Sequence, residues 1–122
     1  MIFGFVENLM FTSRIEAAVE NAGLEMTWAE PLADWIVPNY EKFTALGVNL
    51  VLVDLGITEI DWPSWIQAFK SHPATAAIPL VGFGSHMDVQ GFKAAKQAGA
   101  DQVLARSQFF SKLPEIVNLR AA

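Results

Sequence analysis

The sequence predicts an α/β domain built on an open parallel sheet, and three observations predict it. Strand-like apolar segments alternate with segments of helical periodicity five times. Glycine closes several of the helical segments, as tight returns to a sheet require. The most apolar stretch, Val48-Asn49-Leu50-Val51-Leu52-Val53-Asp54, ends in a carboxylate. Its Val-Leu-Val run fits a strand buried on both faces, and alternating β and α segments imply a sheet covered on both sides by right-handed crossovers.

Each element has its own warrant. Ile2 to Val6 reads as the first strand. A helix follows with Ile15, Ala18, Val19 and Ala22 at helical spacing, closed by Gly23. Leu24 to Trp28 is a short second strand. Leu32 to Leu46 carries Trp35, Ile36, Tyr40, Phe43 and Leu46 on one helical face, but Pro38 must kink or restart that helix. After the third strand, Asp61 is placed to cap a helix with Trp62, Trp65, Ile66 and Phe69 on one side, and His72-Pro73 stops it. Ile78 to Phe83 is the fourth strand. The next helix runs through Phe92 and Ala95 to Ala98-Gly99, and Ser85 with Asp88 three residues on resembles a capping box. Gln102 to Ala105 is the fifth strand. A last helix carries Leu113, Ile116 and Val117, with Ser111 as its cap and Pro114 in its first turn. No repeat, linker or low-complexity segment interrupts this order, so residues 1–122 are expected to form one domain.

Composition excludes whole classes of function. The chain has no cysteine, which removes disulfides, thiol catalysis and thiolate metal sites. Its net charge is −5 and its eight basic residues are scattered, which argues against a nucleic-acid partner. No apolar run approaches the roughly 18 residues that span a bilayer. Met1 leads straight into the first strand with no basic segment before it, so no secretory signal is expected and a cytoplasmic location is. Two histidines without a suitably spaced partner do not make a zinc site.

Asp54 is the leading candidate for chemistry. At the carboxyl end of a central parallel strand it would sit on the rim where open α/β sheets bind ligands. The competing reading is a residue that only caps the following loop. Gly82-Phe83-Gly84-Ser85-His86 forms a loop on the same rim. Its glycines fit a sharp turn better than a phosphate cradle, because a dinucleotide fingerprint needs a third glycine and belongs to the first strand. His86 follows that loop directly and would lie within hydrogen-bonding reach of the Asp54 group in that arrangement, while a capping or surface role competes with this. The tryptophans suit core packing, with an exposed aromatic patch as the alternative that would mark a protein or homodimer interface.

Three segments carry a resemblance to bacterial response-regulator receiver domains. They are Leu50-Val51-Leu52-Val53-Asp54-Leu55, His72-Pro73-Ala74-Thr75-Ala76-Ala77-Ile78-Pro79-Leu80, and Ala98-Gly99-Ala100-Asp101. The resemblance implies a flavodoxin-like three-layer sandwich with five parallel strands in the order 2-1-3-4-5. It implies that Asp54 is the phosphoryl acceptor and that Glu7, Asp54 and the Gly56 carbonyl hold Mg²⁺ weakly. The site departs from the family's pattern at several places: Asn8 stands where a second acid is usual, and Gly84 where a Thr or Ser supplies a hydroxyl, with Ser85 one residue late. Arg106-Ser107 replaces Lys-Pro, and Val103 replaces the switching aromatic. Arg and Lys are not interchangeable at such a site, since Arg presents a planar fork in place of a compact ammonium. The fork could also pair directly with Asp54 or Glu7 and make the metal unnecessary.

These departures give the expected function: a stand-alone, non-enzymatic receiver-like module acting through protein–protein contact, with phosphoacceptor switching impaired or absent. Its partner would be a histidine kinase, another signalling protein or a second copy. A working phosphoacceptor, with Ser85 supplying the hydroxyl, is the first alternative. A small ligand- or nucleotide-binding protein on the same fold is the second, and it lacks a visible nucleophile–base pair or phosphate loop.

Overall fold

The computed structural model describes residues 1–30 and 34–119. Five strands, β1 (Ile2–Phe5), β2 (Met26–Trp28), β3 (Leu50–Asp54), β4 (Leu80–Gly84) and β5 (Gln102–Ala105), form one parallel sheet in the order β2-β1-β3-β4-β5. The helices are α1 (Leu9–Asn21), α2 (Tyr40–Leu46), α3 (Trp62–Ser71), α4 (Val89–Ala98), α5 (Arg106–Ser111) and α6 (Leu113–Ile116). The alternation expected from the sequence is therefore the observed one.

Strand geometry sends successive side chains to opposite faces, so β3 supplies two cores. Val51 and Val53 join Phe3, Phe5, Phe43, Trp65, Ile66 and Phe69 under α2, α3 and α4. Leu50 and Leu52 join Ile2, Ile15, Val19, Phe83, Phe109 and Val117 under α1, α5 and α6. All five β3 residues, Asp54 included, are buried. Three of the tryptophans, Trp35, Trp62 and Trp65, are core residues, and Trp28 is half-buried with its indole N–H donated to Glu16. Among the described residues the exposed large apolar side chains are elsewhere: Leu9, Met10, Ile36, Val37, Leu46, Met87 and Val89.

The helix ends follow local chemistry. Asn8 caps α1, its side-chain oxygen accepting from the N–H groups of Met10 at 2.9 Å and Phe11 at 3.3 Å. Gly23 at φ 71° and Gly99 at φ 113° take the left-handed turns that leave α1 and α4. Asp61 caps α3 as expected, accepting from Ser64 N–H at 3.2 Å, with Pro63 in the first turn.

Four expectations need correction. The helix drawn over Leu32 to Leu46 begins only at Tyr40, after Pro38, because Asn39 caps it by accepting from Lys42 N–H at 3.0 Å; Leu32 itself lies outside the described residues. The cap of α4 is Asp88, bonded to Gly91 N–H at 2.9 Å, while the Ser85 hydroxyl takes the N–H of Met87 in the preceding turn. The last helix is two short ones, and Ser111 belongs to the end of the first, donating to the Gln108 carbonyl. Finally, β4 starts two residues later than expected and extends to Gly84.

Candidate functional site

Two cavities open at the carboxyl ends of the strands, and they divide the residues singled out in the sequence. The smaller, about 320 Å³, contains Glu7, Asn8, Asp54, Gly56 and Arg106. The larger, about 620 Å³, contains Ser85, His86 and Ser107, and it too is bounded by Arg106. Gly84 lines neither cavity.

Asp54 closes β3, and its side chain is held from the loop that follows. One carboxylate oxygen accepts the Gly56 N–H at 2.9 Å. The residue is 6% exposed. Burial pushes its pKa above the ordinary carboxylate value, against the opposing pull of the Gly56 N–H and the Arg106 guanidinium. The native state therefore keeps this proton to a higher pH than the unfolded chain does, and stability is lost as pH rises through the raised pKa. Asp54→Asn keeps the acceptor for Gly56 and removes the charge. It is expected to melt at a higher temperature than the wild type at neutral pH, and the gap should shrink under acid conditions where both side chains are neutral. Calorimetry across pH checks this; equal melting temperatures at neutral pH would show that the carboxylate carries no desolvation cost.

Arg106 follows β5 directly and faces the Asp54 cavity, but it does not form the bidentate pair anticipated from the sequence. Among the described residues the ion pairs are Lys42–Asp34 and Lys70–Asp101, and neither involves Arg106. Its guanidinium carbon instead lies 4.9 Å from the centre of the Phe11 ring. Its Nε is buried and has no hydrogen-bond partner among the described residues. The cation thus influences Asp54 through space, while its position is set by an aromatic face.

The other candidate residues are placed as follows. The Asn8 side chain is committed to capping α1 and offers little to a metal. Ser85 and exposed His86 border the larger cavity, and His86 makes no hydrogen bond to the Asp54 group. Val103 is partly buried and packs on the core beneath α3 and α4. His72 stacks on Tyr40 at 3.7 Å and accepts the Ala74 N–H at 3.0 Å, a turn-forming role. Sequence reasoning missed Phe11, Thr58 and Glu59, which also line the Asp54 cavity. Thr58 and Glu59 lie within five residues of Asp54, so loop proximity was a usable signal. Phe11 had none, because nothing in the sequence aims that face of α1 at Arg106.

The oxygen donors here suit a hard cation: the Glu7 and Asp54 carboxylates and the Gly56 carbonyl. Among the described residues no group of three or more His, Asp or Glu is placed to hold a metal ion. The Glu7 and Asp54 carboxylates thus share this cavity with the Arg106 guanidinium, whose charge is of the same sign as a metal cation's.

Comparison with solved structures decides the fold type. The chain superposes on the phosphorylated cyanobacterial phytochrome response regulator RcpA with a TM-score of 0.73 at 20% identity, covering 95% of this chain and 86% of that one. This chain has the receiver fold. A response regulator from Hahella chejuensis gives a TM-score of 0.76 at 15% identity, over 95% and 90% of the two chains. A response regulator receiver domain from Rhodospirillum rubrum gives 0.70 at 16% identity, over 99% and 97%. No family model and no curated protein matches the sequence. Within the receiver fold, Asp54 occupies the end of the central strand and the two cavities lie at the sheet's carboxyl edge. Among the described residues no helix is long and apolar enough to cross a membrane.

Proposed function

We propose that the chain is a receiver-type signalling module that acts by binding another protein, and that phosphoryl transfer to Asp54 is too weak or too poorly coupled to switch it. The single observation that supports this most is the absence, from the described residues lining the Asp54 cavity, of any hydroxyl contributed by the end of β4: Gly84 has no side chain and the Ser85 hydroxyl is turned to Met87 N–H. The comparison with receiver structures, one of them solved in its phosphorylated form, supports the signalling role.

The chemistry follows from the site. For acceptance, an Asp54 oxygen attacks the phosphorus of a small donor, an O–P bond forms, and the donor's leaving group departs with the other electron pair. Charge gathers on the phosphoryl oxygens and must be neutralised. Mg²⁺, held by Glu7, Asp54 and the Gly56 carbonyl, would supply that neutralisation. Arg106 is the remaining cation, but its planar group rests on Phe11 and has no ion pair with Asp54. A hydroxyl that reports phosphorylation to the neighbouring helix is missing, and Val103 provides no ring to respond to it.

Incubation with acetyl phosphate and Mg²⁺, followed by intact-mass measurement, tests this reading. Wild type is expected to show little adduct and no change in its amide spectrum. Stoichiometric adduct in wild type, lost in Asp54→Asn and accompanied by broad spectral shifts, would overturn the proposal. The site also makes a positive prediction. A Cβ at Gly84 would meet Leu55 at 3.4 Å and Phe92 at 3.6 Å, which is ordinary contact, so the position has room for a Cβ. Gly84→Ser is expected to increase adduct formation several-fold over wild type.

A further inference from the structure

The larger cavity is built unlike the rest of this acidic chain. Arg14 on α1 lies over the ring of Phe110 on α5, 4.1 Å from its centre, while Arg106 on α5 lies over Phe11 on α1. The two helices thus exchange cations across the groove, each guanidinium resting on an aromatic ring of the opposite helix. A guanidinium stacked in this way keeps its N–H donors for other partners. Among the described residues neither is ion-paired, and the Arg106 Nε is a buried donor without an acceptor. His86 and the side chains of Ser85, Ser107 and Ser111 complete the polar lining, and no carboxylate is among the lining residues. In a chain with thirteen acids and eight bases, a cleft holding two arginines and no acid is a local reversal of charge. Its volume, about 620 Å³, lies within the range of small-molecule sites.

From these observations we propose that the cleft between α1 and α5 binds a small molecule carrying a phosphate monoester. Two planar forks and nearby hydroxyls match the several acceptor oxygens of a dianionic phosphoryl group, and the Phe11 and Phe110 rings give the rest of the molecule an apolar wall. The site is distinct from the Asp54 cavity, although Arg106 borders both, so it stands whether or not Asp54 is phosphorylated.

Nuclear magnetic resonance titration with adenosine 5′-monophosphate, inorganic phosphate and adenosine tests the proposal on the full chain. The monophosphate and phosphate should move the amides of Ser85, His86, Ser107 and Ser111 at millimolar concentration, and adenosine should not. Arg14→Gln, an exposed position on α1, should weaken the monophosphate about tenfold, the scale of one charge-assisted hydrogen bond. Ser107→Glu, also exposed, should abolish binding by placing a like charge in the groove. Asp54→Asn should bind the monophosphate at least as tightly as wild type, which separates this test from the one on the acceptor. Binding of adenosine equal to that of the monophosphate would overturn the proposal, as would shifts confined to Glu7, Asp54 and Gly56. No response at several millimolar, or unchanged affinity in both Arg14→Gln and Ser107→Glu, would overturn it too.

Discussion

Trp65→Ala is expected to lower the unfolding free energy by about 3–5 kcal/mol, the range for emptying a buried aromatic position. Trp65 is 2% exposed and sits at the centre of the core beneath α2 and α3. Its ring stacks on Phe69 at 5.2 Å and meets Phe5 at 4.5 Å, Trp35 at 5.8 Å and Phe43 at 6.0 Å. Its indole N–H donates to the Asp34 carbonyl at 2.8 Å, so alanine would leave both a void and a buried acceptor without its donor. Trp65→Phe separates the two effects. It retains most of the packing and loses the hydrogen bond, and should cost about 1–2 kcal/mol. Urea unfolding followed by circular dichroism measures both variants. A loss below about 1 kcal/mol for alanine would mean that the aromatic cluster collapses into the space and that packing there is not specific.

The second large effect is expected at Lys42. Its ammonium lies 3.1 and 3.0 Å from the two oxygens of Asp34, whose carboxylate also accepts the Glu30 N–H at 2.7 Å. The carboxylate is nearly buried, with a side-chain exposure of 4%, while the lysine retains 29%. Lys42→Met leaves that acid without its cation and should cost about 3 kcal/mol, the low end for a broken buried pair because lysine is part-solvated. Replacing both partners, Asp34→Leu with Lys42→Met, should be less harmful than Lys42→Met alone, since no charge then stays behind. A double-mutant cycle by urea unfolding decides the matter. Additive single effects would mean that the pair is not coupled.

Much of this architecture was legible in the sequence because each element is locally consistent. The third strand announced itself through a run of buried aliphatics, and β5 was placed to the residue because Gly99 and Arg106 bracket it. Capping was harder. Asp61 was found because a helix face follows it at once, whereas Ser85 competed with Asp88 and the hydroxyl lost to the carboxylate. The last helix was misjudged because Leu113, Ile116 and Val117 mark only α6, whereas Ser111, taken as the cap before them, ends a separate helix that begins at Arg106. The site was legible in part for a similar reason. Asp54, Glu7 and Gly56 are fixed by strand ends, which are set by the sheet. The partner of Arg106 was not, because a flexible side chain chooses between a carboxylate and a ring by their positions in space. Sequence separation carries no information about Phe11, which lies on another helix.

Arg106 is a party wall: the same guanidinium faces the acidic chamber on one side and the basic groove on the other. It carries one unit of positive charge, and a full complement of negative charge on both sides would have to share it. Whatever anion settles in one chamber therefore raises the free energy of anionic charge in the other. By thermodynamic reciprocity the penalty is the same in either direction.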